Sequence, residues 1–164
     1  MVNAAGINLR QHADETTQEG WSKTLELNLS VPFFLAQALV PGMVKKSCGR
    51  IINIASLQSF RAFENGIAYG ASKGGIAQLT RAMAQAWSPK TVTANAIAPG
   101  FFPTELTQAV FTNDALLNQH AAATAIGRNG KMDDLDGVSI FLASSASAYI
   151  TGQIIAVDGG YLAK

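Results

Sequence analysis

The chain has 164 residues, 48% of them hydrophobic and 14% charged, with a formal net charge of +1. That length fits one domain over residues 1–164, the apolar bias suggests a well-buried α/β core, and the near-neutral balance gives no reason to expect nucleic acid or an anionic membrane as a partner. One cysteine, Cys48, excludes an intrachain disulfide and is compatible with the reducing cytoplasm expected here; no apolar run reads as long enough to cross a bilayer, and Met1–Gly6 has neither the basic nor the apolar region of a signal peptide.

In chain order, Met1-Val2 reads as the end of a strand running into Asn3-Ala4-Ala5-Gly6. Small side chains in such a loop let a ligand approach the backbone closely, though an ordinary strand-to-loop turn has the same composition. In the loop Ile7–His12, Arg10 is either a bidentate clamp for an acidic substrate or a solvated surface arginine. Thr16 with Glu19 matches a capping box and opens a helix through Trp21, Leu25, Phe33 and Leu39, in which Pro32 predicts a break close to Asn28. Gly49–Ser56 is an apolar strand suited to burial on both faces. Ser59–Gly66 follows as a loop, with Phe60 and Phe63 as candidate pocket walls and Gln58 as a candidate polar contact. A helix is expected from about Tyr69 to Trp87, stopped by Pro89; its Gly74-Gly75 pair weakens it and calls for a packing reason. Thr93–Ala98 is a third strand ending in Pro99-Gly100. Residues 105–126 are rich in Ala, Thr and Gln, with Phe111 and Leu116 as apolar anchors. A helix over Met132–Ser144 starts at Asp133-Asp134, and Ile154–Val157 is the last strand.

The chemistry is concentrated in Tyr69-Gly70-Ala71-Ser72-Lys73. A tyrosine and a lysine four apart share one helix face, and an ammonium beside a phenol favours the phenolate. The pair can then exchange a proton with a carbinol or carbonyl oxygen, which Ser56, at a strand end, is expected to hold by a hydrogen bond. The alternative is an amphipathic helix with a half-buried Tyr and a snorkelling Lys. No metal ligands are expected.

Taken together, Asn3-Ala4-Ala5-Gly6, Asn28, Ser56, Tyr69-x-x-x-Lys73, Pro99-Gly100-Phe101-Phe102-Pro103-Thr104 and the ending Val157-Asp158-Gly159-Gly160 resemble the short-chain dehydrogenase/reductase family. Asn8-Leu9-Arg10, Gly127-Arg128-Asn129-Gly130 and Phe141-Leu142-Ala143-Ser144 are similar to its gluconate 5-dehydrogenase and sugar-acid or polyol branch. The resemblance implies an α/β fold carrying strands four to seven of a Rossmann-like, doubly wound parallel sheet. It implies NAD or NADP as cofactor and hydride exchange with a secondary alcohol or ketone, a sugar acid or polyol in that branch. It makes Asn28, Ser56, Tyr69 and Lys73 catalytic, with Asn28 holding a water that serves the lysine. Asn3, Ala4, Ala5, Gly6, Tyr69, Lys73, Pro99, Gly100, Phe102 and Thr104 would contact the cofactor. Arg10, Gln58 and Phe63 would contact substrate under a lid formed by residues 105–126. A homo-oligomer, dimer or tetramer, is implied as well.

No two glycines stand two apart, so the G-x-G-x-x-G turn that grips a dinucleotide pyrophosphate is absent from these 164 residues. The expectation is therefore a chain that carries the catalytic, C-terminal part of the family fold. A catalytically inactive piece that serves only in assembly or interaction is the competing reading.

Overall fold

The computed structural model describes residues 1–164. Four strands, β1 (Val2–Asn3), β2 (Gly49–Ile54), β3 (Val92–Pro99) and β4 (Ile154–Val157), lie side by side in chain order, all parallel. Parallel neighbours need crossovers, and here these are helical, giving the expected α/β architecture. Successive residues of β2 face opposite sides. Ile51 packs with Ala36, Val40, Met83, Val92 and Ala94 on one face, whereas Ile52 packs with Ile97 and Leu142 on the other. Both faces are covered, which is why β2 reads as a continuous apolar run.

On the first face β3 presents Ala94, Ala96 and Ala98, all fully buried. Their small side chains let the long helix α3 (Ile67–Trp87) lie close to the sheet, with Ile76 seated against Ala96 and Ala98. The polar groups enclosed there are paired, as burial demands. Asn3 Nδ2 donates to Asn53 Oδ1 at 2.7 Å, and Asn53 Nδ2 donates to Thr80 Oγ1 at 2.9 Å, tying β1, β2 and α3 together. On the other face Asn95 Nδ2 donates to the Ile150 carbonyl at 2.9 Å and Asn95 Oδ1 accepts from Gln153 N at 3.0 Å.

Beside α3 on the same face lies a helix continuous from Gln18 to Lys45 as α1 (Gln18–Leu25), a π-helical turn at Glu26–Ser30 and α2 (Val31–Lys45). Its cap is Thr17, whose hydroxyl accepts from Gly20 N at 3.0 Å; Thr16 instead donates to the His12 carbonyl, so the expected Thr16–Glu19 box lies one residue off. Pro32 produces no break. The proline lacks an N–H for the Asn28 carbonyl four residues back, and the chain widens into a π turn in which Val31 N bonds the Glu26 carbonyl. Gly20, Thr24, Asn28, Pro32, Ala36 and Val40 recur every fourth residue and form the buried stripe. The opposite face carries Phe34, Leu35 and Leu39, 59%, 49% and 50% exposed. With that face included, the helix is long and apolar enough to cross a membrane by length and composition alone, its most apolar window having a mean hydropathy of 1.5. This corrects the expectation that no run qualifies.

Between β3 and β4 lie α4 (Gln108–Phe111), α5 (Asp114–Ala123) and α6 (Asp136–Ala143). Asn113 caps α5 by accepting from the backbone of Ala115 and Leu116. The buried anchor of this region is Val110 at 4% exposure, whereas Leu116 stands 36% exposed. Leu116 is therefore not the anchor its hydropathy suggested, because the short α4 turns Val110 inward instead. The helix expected over Met132–Ser144 is a 3-10 turn at Met132–Leu135 followed by α6.

Candidate active site

The carboxyl ends of β1, β2 and β3 lie at one edge of the sheet, and the loops leaving them converge on the start of α3. β2 ends at Ile54, two residues before Ser56. The backbone of Ser56 is extended and its Oγ accepts from Gln58 N at 3.1 Å, capping the turn Leu57–Ser59. With its lone pair so used, the Ser56 hydroxyl proton is free to donate outward. Ser59 completes the cap and donates to the Lys73 carbonyl at 2.6 Å, so the serine-bearing turn is fastened to α3.

On α3, Lys73 Nζ stands 5.5 Å from the centre of the Tyr69 ring, as the four-residue spacing requires. The ammonium donates to the Ile54 carbonyl at 2.6 Å, which anchors it at the end of β2. Burial pushes the Lys73 pKa down to about 8. Burial pushes the Tyr69 phenol up from its ordinary value, against smaller lowering effects from a hydrogen bond to Ser56 and from the charge of Arg10. The expectation that Lys73 acidifies Tyr69 is thus corrected: removing the phenolate from water outweighs nearby charge, and the groups that oppose the rise are Ser56 and Arg10.

Asn28, 2% exposed at the centre of the π turn, makes no direct hydrogen bond to Lys73. Its amide donates to the Ile7 carbonyl at 2.9 Å and to Ser72 Oγ at 3.0 Å, while Oδ1 accepts from Ile7 N at 2.9 Å. It binds the loop after β1 to the face of α3 that also carries Lys73. Gly6 completes this corner. A Cβ there would stand 3.2 Å from Asn28 Oδ1 and 3.8 Å from Lys73 Nζ, so glycine leaves the floor beside the ammonium open. Ala4 and Ala5 beyond β1 are exposed and small.

Pro99-Gly100 leaves β3 against Asp158, whose Cα a Cβ on Gly100 would approach to 2.9 Å. The Asp158 carboxylate accepts from Gly160 N and Leu162 N and fixes that turn. Phe102 is buried with its ring against Gly130, and its carbonyl accepts from Thr107 Oγ1, so its N–H is the group it has left to offer. Thr104 is exposed and its Oγ1 meets Thr107 Oγ1 at 3.0 Å. A buried amine, a free backbone N–H and an alanine-glycine floor at a strand-end crevice fit the nicotinamide end of a dinucleotide.

The proposed substrate residues divide. Arg10 sits in a left-handed turn (φ 51°), and its Nη2 donates to the Leu106 carbonyl at 2.6 Å, spanning from the loop after β1 to the segment before α4. Gln58 and Phe63, with Phe60, open on a cleft of about 810 Å³ that neither Tyr69 nor Ser56 lines. The Gln58 side chain packs over Gly66 and Gly70 instead of reaching the hydroxyl pair. The structure adds three residues that the sequence did not single out. Phe101 stacks on His120 of α5 at 3.6 Å between ring centres and lies 5.7 Å from Tyr161, and Phe63 meets Phe101 edge-on at 6.1 Å. Phe101 stood inside the Pro99–Thr104 motif and His120 is one of two histidines, but their contact joins residues 19 apart in different elements, which no local pattern encodes.

Ser56, Tyr69 and Lys73 are gathered at the carboxyl edge of a parallel sheet. The family model described as enoyl-(acyl carrier protein) reductase matches residues 1–162, and the chain belongs to that short-chain dehydrogenase/reductase family. Over its whole length the chain is 40% identical to 2-dehydro-3-deoxy-D-gluconate 5-dehydrogenase of Bacillus subtilis, covering 65% of that protein. It is 34% identical to gluconate 5-dehydrogenase of Gluconobacter oxydans over 98% of this chain and 62% of the relative. The crystal structure of a gluconate 5-dehydrogenase from Burkholderia cenocepacia, in complex with NADP and tartrate, superposes with a TM-score of 0.96 at 39% identity, over 99% of this chain and 64% of that one. The chain therefore spans less than two thirds of the length of these relatives.

Proposed function

We propose that the chain carries the chemistry of an NAD(P)-dependent oxidoreductase that interconverts a secondary alcohol and a ketone on a sugar acid or polyol. The observation that carries the reading is the placement of Tyr69 one helical turn from a buried Lys73, whose ammonium is bonded to the Ile54 carbonyl two residues before Ser56 at the carboxyl edge of the sheet. The names of the relatives support the substrate class, and the NADP and tartrate bound to the Burkholderia protein support a nicotinamide cofactor beside a hydroxy acid.

In ketone reduction, Tyr69 gives its phenol proton to the carbonyl oxygen, and in alcohol oxidation it takes the proton back. Ser56 donates a hydrogen bond to the same oxygen. Lys73 holds the cofactor's ribose hydroxyls from the β2 end, and Asn28 fixes the loop through Ile7 so that Gly6 stays clear of the ammonium. Phe102 N–H, Pro99, Gly100 and Thr104 face the carboxamide side, and Asn3 with Ala4, Ala5 and Gly6 borders the ribose and adenosine side. The nicotinamide supplies the hydride-carrying carbon when bound. Arg10 receives the anionic end of the substrate, and Phe63 backs the Phe101 wall. These residues account for the nicotinamide end alone, because the glycine spacing that cradles pyrophosphate does not occur among them.

We also propose that copies of the chain pair through the outer face of α2 with α3. Phe34, Leu35 and Leu39 are half exposed there, and Phe33 stacks on Trp87 at 6.4 Å with the rings 9° from parallel. An apolar strip of this kind is stable when covered.

The function is tested by following NADPH absorbance while the folded chain is given D-gluconate and NADP at millimolar concentration. Turnover is expected. Folded protein that neither turns over nor binds the cofactor at that concentration would overturn the proposal.

A further inference from the structure

His120 lies on α5 with its ring flat against Phe101 and 6.4 Å from Tyr161. Its Nδ1 is buried and meets no partner, while Nε2 is not enclosed and makes no hydrogen bond within the protein. With Nδ1 shut against the aromatic wall, Nε2 is the nitrogen that can meet a ligand, and it is a donor when it carries a proton. Three cations surround this wall, and the nearby carboxylates are already engaged: Asp158 accepts from Gly160 N and Leu162 N, and Asp134 pairs with Arg128. Arg10 reaches across to Leu106, Arg61 lies 5.5 Å above the Tyr161 ring, and Lys164 Nζ binds the Ala122 and Thr124 carbonyls at the end of α5. None of them has a carboxylate within ion-pair distance; both ion pairs of the chain, His12–Asp14 and Arg128–Asp134, are made by other residues. Tyr161 is the titratable side chain on the wall itself, with the Asp158 carboxylate in the turn that leads into it. Three unpaired cations and an outward N–H donor around an apolar surface make a receiver for an anion, and the loop-borne Arg10 and lid-borne His120 close it from two sides.

We infer, resting on the oxidoreductase reading above, that His120 is a specificity-determining residue which, with Arg10, grips the carboxylate of a hydroxy-acid substrate and so selects it over a neutral polyol. The resting state of the ring agrees. Burial, and then the charge of Arg10, hold the His120 pKa below its ordinary value, so the free ring is neutral at pH 7. A carboxylate placed against Arg10 and His120 cancels that repulsion and favours the imidazolium. Binding then takes up a proton, and affinity for an acid substrate rises as pH falls through the histidine range.

The test is a titration of the two histidine C2–H resonances of the chain with D-gluconate and, separately, with the neutral polyol D-glucitol, assigning His120 by its loss in H120N. Gluconate is expected to move the His120 resonance and raise its pKa by about one unit, which makes gluconate binding about tenfold tighter on the acid side; glucitol is expected to leave the resonance in place. In H120L the ratio of kcat/KM for gluconate to that for glucitol is expected to fall about tenfold. An His120 resonance that responds alike to both compounds, or an unchanged ratio in H120L, overturns the inference. A chain that turns over neither compound while gluconate still shifts His120 overturns the oxidoreductase reading and leaves the anion receiver standing. Turnover of gluconate with His120 unmoved does the reverse.

Discussion

Burial sets the resting charge of the two groups at the centre of the site, and it acts on them in opposite senses. Tyr69 is held as a phenol, ready to donate. Lys73 loses basicity, to a pKa of about 8 from an ordinary value of 10.5. The lysine result carries a stability consequence. Between about pH 8 and 10.5 the unfolded chain holds a proton on Lys73 that the folded chain has released, so stability rises with pH across that window, and below it the fold bears the full cost of a buried charge. Relative to K73M, the wild-type chain should gain about 2 kcal/mol between pH 7 and pH 9.5, measured by urea unfolding at both values. A difference that stays constant with pH would contradict this account of Lys73. The sequence made Tyr69, Lys73 and Ser56 legible, because a helix repeat and a strand end are local patterns. It left the direction of the phenol's shift illegible, because that depends on how deeply β2 and the loop after β1 enclose the ring.

At the scale of elements, the glycine pair in α3 separates into two cases. A Cβ on Gly75 would come within 2.9 Å of Leu29 Cδ2, in the π turn, so this glycine lets the two helices close on each other. Gly74 has open space where a Cβ would stand. G74A should therefore raise stability by about 0.5–1 kcal/mol through helix propensity alone. G75A should fall short of it by at least about 1 kcal/mol because Leu29 must move; thermal unfolding of the two variants side by side checks the order. The π turn is the element that the sequence obscured. Pro32 signals a break, yet five residues of π-helical backbone absorb it and keep the helix continuous from Gln18 to Lys45. The packing that maintains it, Asn28 held by Ile7 and Ser72, is made with residues 21 and 44 positions away. The strands were the easier part: all four lie within one or two residues of their expected runs, and in β2 and β3 burial on both faces writes itself into consecutive positions.

For the whole molecule, the two faces of the sheet differ in what covers them. Each carries a packed helical layer, but the layer made by α2 presents a second apolar surface, Phe34, Leu35 and Leu39, to the outside. Sedimentation velocity should find the chain as a dimer or larger, and replacing those three residues with glutamate should shift it to monomer; an unchanged sedimentation coefficient would place any assembly elsewhere. Residues 105–126 show most clearly what a chain read in order conceals. The family resemblance implies a cover there, but only the folded molecule sets His120 on Phe101 and ties Arg10 to the Leu106 carbonyl, and this is where acid and neutral substrates are proposed to part. All of it serves one proposed event, the transfer of a proton between Tyr69 and a substrate oxygen held by Ser56. The most direct measurement is the rate at which the chain reduces 5-keto-D-gluconate with NADPH, wild type against Y69F. Removing one hydroxyl should lower the rate by about a hundredfold or more while NADPH still binds; a Y69F chain that reduces the ketone at the wild-type rate would contradict the account.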